Sequence, residues 1–168
     1  MSNSTPLLTV IIPCYNEKDA VADTVHSVLS ILNKTVDSEL IVVDDGSDDG
    51  SQDILQDLAK QLPRLKVICH EENRGYGASL KTGIRRAQGE LIVITDADGT
   101  YPNDRIPDLV DKMTDADMVV GSRTGDQVQY SSIRKIPKFF LRRYCQWITG
   151  RKIPDMNSGL RIFRKEIA

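Results

Sequence analysis

An apolar run that ends in two carboxylates separated by one residue is the feature that most constrains this chain. The run covers residues 91–95 and continues into Asp96, Ala97, Asp98 and Gly99. Such a run predicts a buried parallel strand whose end opens into a loop. Residues i and i+2 of an extended chain point to the same side, so Asp96 and Asp98 can share one hard cation such as Mg²⁺ or Mn²⁺. The alternative is a helix-capping Asp beside a solvated one.

Strands and helices alternate along the chain. Strands are predicted over residues 7–12, 40–43, 65–69, 91–95 and 118–121. Helices are predicted over residues 17–32, 54–62 and 75–87, and a fourth is predicted to begin near residue 102 or 103. This order predicts an α/β fold with an open, mostly parallel, Rossmann-like sheet that carries helices on both faces.

Acidic or polar loops follow three of the predicted strands, at residues 15–17, 44–47 and 96–98. The carboxyl ends of strands form the ligand crevice in sheets of this kind. Like charges gathered there raise one another's pKa unless a cation or a donor-rich ligand compensates. A metal with a nucleoside diphosphate fits this requirement, and either Asp44 or Asp45 would accept from the base or ribose.

Composition limits the remaining possibilities. With 168 residues and 40% hydrophobic residues, one domain over residues 1–168 is expected. A net charge of −2 gives no general attraction to nucleic acid. The widely spaced Cys14, Cys69 and Cys145 are interpreted as reduced core or near-core thiols of a cytoplasmic protein, and His26 and His70 as packing or surface residues. No run approaches the roughly 18 apolar residues of a membrane span, and the polar residues 1–6 do not match a signal peptide, so neither is expected within this sequence.

Six motifs occur in an order and spacing that resemble family 2 glycosyltransferases of the GT-A fold, especially the branch of dolichyl-phosphate mannose synthase and polyprenyl-phosphate glycosyltransferases. The resemblance covers nearly the whole chain. The motifs are Pro13-Cys14-Tyr15-Asn16-Glu17, Asp44-Asp45-Gly46-Ser47, Asn73-Arg74-Gly75-Tyr76-Gly77, Asp96-Ala97-Asp98, Gly121-Ser122-Arg123 and Asn157-Ser158-Gly159-Leu160-Arg161.

The resemblance implies a nucleotide site in the first two loops. Pro13, Tyr15 and Glu17 match the loop that packs on the nucleotide base. Asp45, with Asp44 beside it, matches the acidic loop that reads base and ribose.

The later motifs imply the metal and acceptor sides. Asp96 matches the acidic residue near ribose and metal, and Asp98 the principal metal ligand. The residues matched to catalysis are Asp98, Asp155, Arg161 and Arg123, and those of the acceptor-side motif are Asp155, Ser158 and Arg161. The Gln, His or Pro that often follows the Asp triplet is replaced by residues 99–102, so no third metal ligand is assigned there.

The same resemblance implies an inverting transfer from a UDP- or GDP-sugar to a polyprenyl phosphate, at the cytoplasmic face of a membrane. A phosphate acceptor is already anionic and needs no general base, whereas a hydroxyl acceptor would make Asp155 the leading base candidate. A saccharide or other hydroxyl acceptor and a non-catalytic nucleotide-binding module are the alternatives. Because such relatives usually continue with further helices, the chain is expected to be truncated after Ala168.

Two further segments leave alternatives open. The glycines at positions 75 and 77 lack the third glycine of a dinucleotide fingerprint, because position 80 is Leu80, and they fit a tight turn or a ligand contact equally well. Residues 131–151 combine basic and aromatic residues at helical spacing. This pattern fits membrane-surface contact, or a helix that covers the sheet.

Overall fold

The computed structural model describes residues 8–34, 37–122, 144, 147–148, 150 and 158–168. Six strands form one sheet: β1 (Leu8–Cys14), β2 (Ser38–Asp44), β3 (Leu65–Cys69), β4 (Leu91–Ile94), β5 (Met118–Val120) and β6 (Arg161–Arg164). The α-helices whose bounds are described are α1 (Val21–Leu32), α2 (Ser51–Gln61), α3 (Tyr76–Arg86) and α4 (Ile106–Asp111). Single 3₁₀ turns occur at Asn103–Arg105, Lys112–Thr114 and Lys165–Ile167.

The strand order across the sheet is β3-β2-β1-β4-β6-β5. The first four strands are mutually parallel, and β6 pairs antiparallel with both β4 and β5. The predicted open, mostly parallel sheet is therefore confirmed. Because the chain moves outward from β1 to β3 and then returns to β4, the strand order reverses between β1 and β4, where α/β sheets bind ligands.

Alternating side chains of the central strands supply two apolar layers. Val10 and Ile12 pack with α1 and α2 in one layer, which also takes in residues of α4. Ile11 and Ile41 pack with α3 in the other layer. Helices cover both faces, which explains why these strands are continuously apolar.

Three features differ from the prediction. Helix α1 starts at Val21 rather than at residue 17, and the N–H groups of Glu17 and Lys18 bond to side chains at Ser51 and Asp49. Strand β6 was not predicted, and it lies between β4 and β5. Cys14 is buried as predicted, but Cys69 is exposed on the edge strand β3, so the prediction of a near-core thiol is wrong there. Cys145 lies outside the described residues.

The chain divides into two compact units, residues 1–120 with 159–168 and residues 121–158. All six strands belong to the first unit. In the second unit, the described side chains of Tyr144, Trp147 and Ile148 are exposed, and the rings of Tyr144 and Trp147 lie 6.2 Å apart. Within the described ranges, no helix is both long and apolar enough to span a bilayer. The single domain expected over residues 1–168 remains a prediction.

Candidate active site

The loops that follow β1 and β2 are tied together by side chains. Asn16 has φ +56°, and its backbone N–H donates to Ser47 Oγ at 2.9 Å. The N–H of Glu17 donates to Ser51 Oγ at 3.0 Å, and that hydroxyl donates to Asp49 Oδ1 at 2.6 Å. These bonds fix the rim where Tyr15 and Glu17 lie. Tyr15 is 47% exposed, so its ring is accessible to a ligand.

Asp44 and Asp45 lie in different surroundings although they are neighbours in sequence. Asp44 is fully buried, and its Oδ2 accepts from the N–H of Ser47 at 3.2 Å. Its other oxygen has no hydrogen-bond partner within the described part of the chain. Burial and, after it, the charge of Asp44 raise the pKa of the Cys14 thiol to about 12, so this thiol is protonated at neutral pH.

The Asp45 carboxylate is held by donors from the segment that enters α3. Its Oδ1 accepts from His70 Nδ1 at 2.6 Å and from the N–H of Arg74 at 3.1 Å. Its Oδ2 accepts from the N–H of Gly75 at 2.7 Å. Burial pushes the pKa of Asp45 upward, but the bonds from His70, Arg74 and Gly75 outweigh it and hold the pKa below its usual range. Asp45 is therefore a fixed, ionised acceptor.

In the loop after β4, Asp96 and Asp98 flank the buried Ala97. Ala97 is 3% exposed, and its carbonyl oxygen accepts from the Thr24 hydroxyl of α1 at 2.9 Å. Asp98 is exposed, and its Oδ1 accepts from the N–H and hydroxyl of Thr100 at 3.0 and 2.8 Å. Anchoring at Ala97 leaves both carboxylates at the carboxyl end of β4, as the sequence predicts.

The carboxylates of the acidic loops lie close enough to affect one another's pKa. The pKa of Glu17 is raised, first by desolvation and then by the charges of Asp98, Asp49 and Asp96. Negative charge is therefore concentrated on this rim. In residues 8–34, 37–122 and 158–168, no group of three or more His, Cys, Asp or Glu side chains is arranged to hold a metal by itself. The donor set fits Mg²⁺ or Mn²⁺, which bind one or two carboxylates together with phosphate oxygens and water.

Two residues that the sequence did not assign a role contact Asp96. The Tyr76 hydroxyl, at the start of α3, lies 3.4 Å from Asp96 Oδ1. Burial and then the Asp96 charge raise the pKa of Tyr76 to about 12, although Arg161 opposes this shift, so the hydroxyl is a donor at neutral pH. The backbone of Gly159 lies against Asp96, and its N–H donates to the Tyr101 hydroxyl at 2.6 Å.

The acceptor-side residues are only partly described. Arg161 begins β6 and pairs in register with Ile94 of β4, two residues before Asp96. Ser158 Oγ donates to the Gly121 carbonyl oxygen at 2.5 Å. Arg123 and Asp155 lie outside the described residues. Pro13 lies half-buried within β1.

Sequence reasoning missed Tyr76, Gly159 and His70 as parts of this site. The first two belong to motifs that were recognised without a role for these positions. The isolated His70 carried no signal, because its partner Asp45 lies 25 positions earlier. The exposed His26 fits its interpretation as a surface residue.

Known proteins with similar sequences are glycosyltransferases. The chain is 34% identical over 163 residues to an undecaprenyl-phosphate 4-deoxy-4-formamido-L-arabinose transferase of Photorhabdus laumondii subsp. laumondii, with 95% of this chain and 50% of that protein covered. It is 26% identical over 172 residues to the low-salt glycan biosynthesis hexosyltransferase Agl6 of Haloferax volcanii, with 98% and 40% covered. The chain thus spans about half the length of the curated relatives it matches.

Solved structures match the fold. A mannosyltransferase from Pyrobaculum calidifontis in complex with GDP-Man and Mn²⁺ superimposes with a TM-score of 0.65 at 27% identity, covering 96% of this chain and 45% of that one. A glucosyl-3-phosphoglycerate synthase from Mycobacterium tuberculosis, in complex with Mn²⁺, UDP-glucose and phosphoglyceric acid, has a TM-score of 0.74 at 20% identity, covering 97% and 58%.

The model of one family covers nearly all of the sequence. Residues 9–168 match the model described as glycosyl transferase family 2. This range contains five strands and all of β1 except its first residue, together with all the acidic loops and the Arg161 motif. The chain belongs to glycosyl transferase family 2.

Proposed function

We propose that this chain carries the donor site of a metal-dependent, inverting glycosyltransferase that moves a sugar from a UDP- or GDP-sugar to a polyprenyl phosphate. The observation that carries the proposal is the convergence of Glu17, Asp96 and Asp98 at the strand-order reversal between β1 and β4. Concentrated negative charge at this position suits a metal-bridged diphosphate.

The nucleoside end of the donor would lie against the loops after β1 and β2. Tyr15 is exposed beside Glu17 and offers a ring on which a base can stack. Asp45 is held ionised, and we propose that its carboxylate, whose side chain is 4% exposed, accepts a further hydrogen bond from an N–H or O–H donor of the base or ribose. Pro13 and Asp44 lie at the ends of the strands that carry these loops and shape the same rim.

The diphosphate end would lie against Asp96, Asp98 and Arg161. Asp96 and Asp98 would hold the divalent ion, and the ion would neutralise the charge that develops on the departing diphosphate. The charge of Arg161 opposes the upward shift of the Tyr76 pKa, and we propose that this guanidinium stabilises the same developing charge. Arg123 is proposed as a second phosphate-binding cation.

The acceptor phosphate defines the rest of the reaction. Its oxygen attacks the anomeric carbon as the bond from that carbon to the diphosphate breaks, which inverts the configuration. Because the oxygen is already anionic near neutral pH, no residue has to remove a proton. Asp155 is then a sugar or metal contact, and Ser158 belongs to the acceptor side.

The named relatives support the lipid acceptor. The 34% identical protein is an undecaprenyl-phosphate transferase. The exposed Trp147, Tyr144 and Ile148 suit contact with a membrane surface, where Trp and Tyr side chains are favoured. We propose that the protein acts at the cytoplasmic face of a membrane.

Calorimetric titration tests the donor site. UDP, GDP and their sugar conjugates are titrated into the protein with and without Mn²⁺ or Mg²⁺. We expect one nucleotide to bind in a metal-dependent way and Asp98→Ala to abolish that dependence. Asp104→Ala is the matched control, because it removes an exposed carboxylate elsewhere on the surface.

The outcomes separate the candidate functions. Absence of binding by every nucleotide to folded protein would contradict the proposed donor site. Donor hydrolysis or transfer that requires a polyprenyl phosphate would support the lipid acceptor, whereas transfer to a saccharide hydroxyl would favour the alternative acceptor. Binding with no turnover on any acceptor would favour a nucleotide-binding module.

A further inference from the structure

His70 is buried beneath the proposed nucleotide rim. It follows β3 directly, and its side chain is 5% exposed. Its backbone N–H donates to the Asp44 carbonyl oxygen at 2.9 Å and extends the pairing of β2 with β3 by one residue. Both ring nitrogens have partners: Nδ1 lies 2.6 Å from Asp45 Oδ1, and Nε2 lies 2.9 Å from Thr82 Oγ1 of α3.

The partners of His70 determine which nitrogen carries the proton. An ionised Asp45 only accepts, so Nδ1 must donate to it. In the neutral ring Nε2 then accepts from the Thr82 hydroxyl, which can both donate and accept. The contact with Thr82 is therefore compatible with the Nδ1–H form that Asp45 requires.

The bond from His70 contributes to the orientation of Asp45. The other donors to this carboxylate are the backbone N–H groups of Arg74 and Gly75, in the turn before α3, and the Ser79 side chain of α3. Gly75 has φ +88°, a conformation that favours glycine, so the turn has a defined geometry. His70 supports Asp45 from the interior, where its side chain is closed to solvent, and the turn supports Asp45 from the surface.

We propose that His70 is a positioning residue for nucleotide recognition, acting through the Asp45 carboxylate without touching the ligand. The inference rests on the proposed function, because it takes the rim beside Asp45 as the nucleoside site. This role requires a side-chain N–H that donates to Asp45 from the place of Nδ1, and it does not require an aromatic ring. Asparagine at position 70 can supply such a donor, and leucine cannot.

The test compares His70→Leu and His70→Asn with wild type by calorimetric titration of UDP and GDP in the presence of Mn²⁺. Loss of a hydrogen bond to a charged group predicts at least about tenfold weaker nucleotide binding in His70→Leu. His70→Asn is expected to stay within about threefold of wild type, since the bond to the charged group is kept. His26→Leu is the control, because His26 is exposed on α1. Thermal unfolding and Mn²⁺ affinity are measured on each variant.

A purely structural histidine would give a different pattern. In that case His70→Leu and His70→Asn would lose stability in parallel, and folded His70→Leu would bind nucleotide as wild type does. Equal binding by wild type and His70→Leu therefore overturns the positioning role alone. Failure of wild type to bind either nucleotide overturns the proposed donor site and this role together.

Nuclear magnetic resonance of wild type tests the inference even if His70→Leu does not fold. Nitrogen shifts of the imidazole ring should identify the Nδ1–H form at His70. Saturation with the bound nucleotide should shift the His70 ring signals and leave those of His26 in place. An Nε2–H form, or His70 signals unmoved by saturating nucleotide, would overturn the inference.

Discussion

Gly159 lies so close to Asp96 that a Cβ atom at this position would stand 2.5 Å from Asp96 Oδ2. The same atom would stand 2.9 Å from Tyr101 Cε2, and the Gly159 N–H donates to the Tyr101 hydroxyl. The backbone that leads into Arg161 is therefore packed directly against a proposed metal ligand. Because glycine has no side chain, the segment that leads into β6 can pack against the loop that follows β4.

Gly159→Ala should displace Asp96. Real Cβ atoms essentially never approach a heavy atom to 2.5 Å, so either the carboxylate or the 158–160 backbone must shift. Mutation of groups that support a metal ligand typically weakens metal affinity about 10- to 100-fold. We expect Mn²⁺-dependent nucleotide binding to weaken to the same extent. Gly77→Ala is the matched control, since a Cβ there meets nothing within 4 Å. Equal Mn²⁺ affinity in both variants would contradict the prediction.

Tyr76→Phe should remove the hydrogen bond that orients the Asp96 carboxylate while keeping the aromatic ring. The hydroxyl donates to Asp96 Oδ1 at 3.4 Å, which is a long bond on an exposed side chain. We therefore expect a smaller effect than that of Gly159→Ala: about three- to tenfold weaker Mn²⁺ binding, which is below the 10- to 100-fold range for most such supporting bonds. Titration of Mn²⁺ followed by electron paramagnetic resonance measures it. A Tyr76→Phe variant with unchanged Mn²⁺ affinity would show that this hydroxyl does not orient the carboxylate.

Glu39→Gln should lower stability and leave nucleotide binding unchanged. Glu39 lies near the amino end of β2, away from the proposed site, and accepts from Thr9 Oγ1, Lys66 Nζ and the Gln88 N–H at 2.6 to 2.7 Å. Desolvation opposes the charge of Glu39, but these donors lower its pKa overall. Loss of charge-assisted bonds should cost about 1.5–3 kcal/mol of unfolding free energy.

The pH dependence of that loss has a definite sign. Glu39 has a lower pKa in the folded than in the unfolded protein, so its ionised form stabilises the fold above the unfolded value. This contribution disappears as pH falls through the lowered pKa. Denaturant unfolding of wild type and Glu39→Gln should therefore converge at acid pH. A constant difference down to acid pH would contradict the charge-based explanation.

The parts of this fold that the sequence predicts are those governed by local pattern. The run at 91–95 is apolar because both faces of β4 are covered, and its carboxylates follow because the loop is exposed. Strand β6 was missed because Arg161–Arg164 contains only two apolar residues, Ile162 and Phe163, and its partner β4 lies about 70 positions earlier. The pairing of His70 with Asp45 depends on the placement of β3 beside β2, which no local pattern specifies.

Helix α1 illustrates how the site overrides local propensity. Helical spacing of apolar residues predicts its start at residue 17, yet the N–H groups of Glu17 and Lys18 donate to Ser51 and Asp49. Those acceptors belong to the segment that leads into α2, so the periodicity of residues 17–32 does not reveal them. Glu17, the first of the residues that precede the helix, lies on the proposed nucleotide rim.

Glu17→Gln should stabilise the metal-free protein at neutral pH. Desolvation and the charges of Asp98, Asp49 and Asp96 raise the pKa of Glu17, so the folded state disfavours its ionised form relative to the unfolded chain. Ionised Glu17 therefore lowers stability at pH values above its raised pKa and has no such effect below its ordinary value. We expect a higher Tm for Glu17→Gln at neutral pH, and the gain should vanish as pH falls through the raised pKa. Asp19→Asn, which removes an exposed charge of the same sign, is the control.

Addition of Mn²⁺ extends this last test to the proposed cation site. A divalent ion held by Asp96 and Asp98 would offset the negative charge that opposes ionised Glu17. The Tm advantage of Glu17→Gln should therefore shrink when Mn²⁺ and nucleotide are added, while Asp19→Asn responds as wild type does. If the Tm advantage of Glu17→Gln is the same with and without Mn²⁺, the ion binds too far from Glu17 to offset the negative charges around it. A Glu17→Gln variant that is less stable than wild type at neutral pH would contradict the convergence of the acidic loops itself.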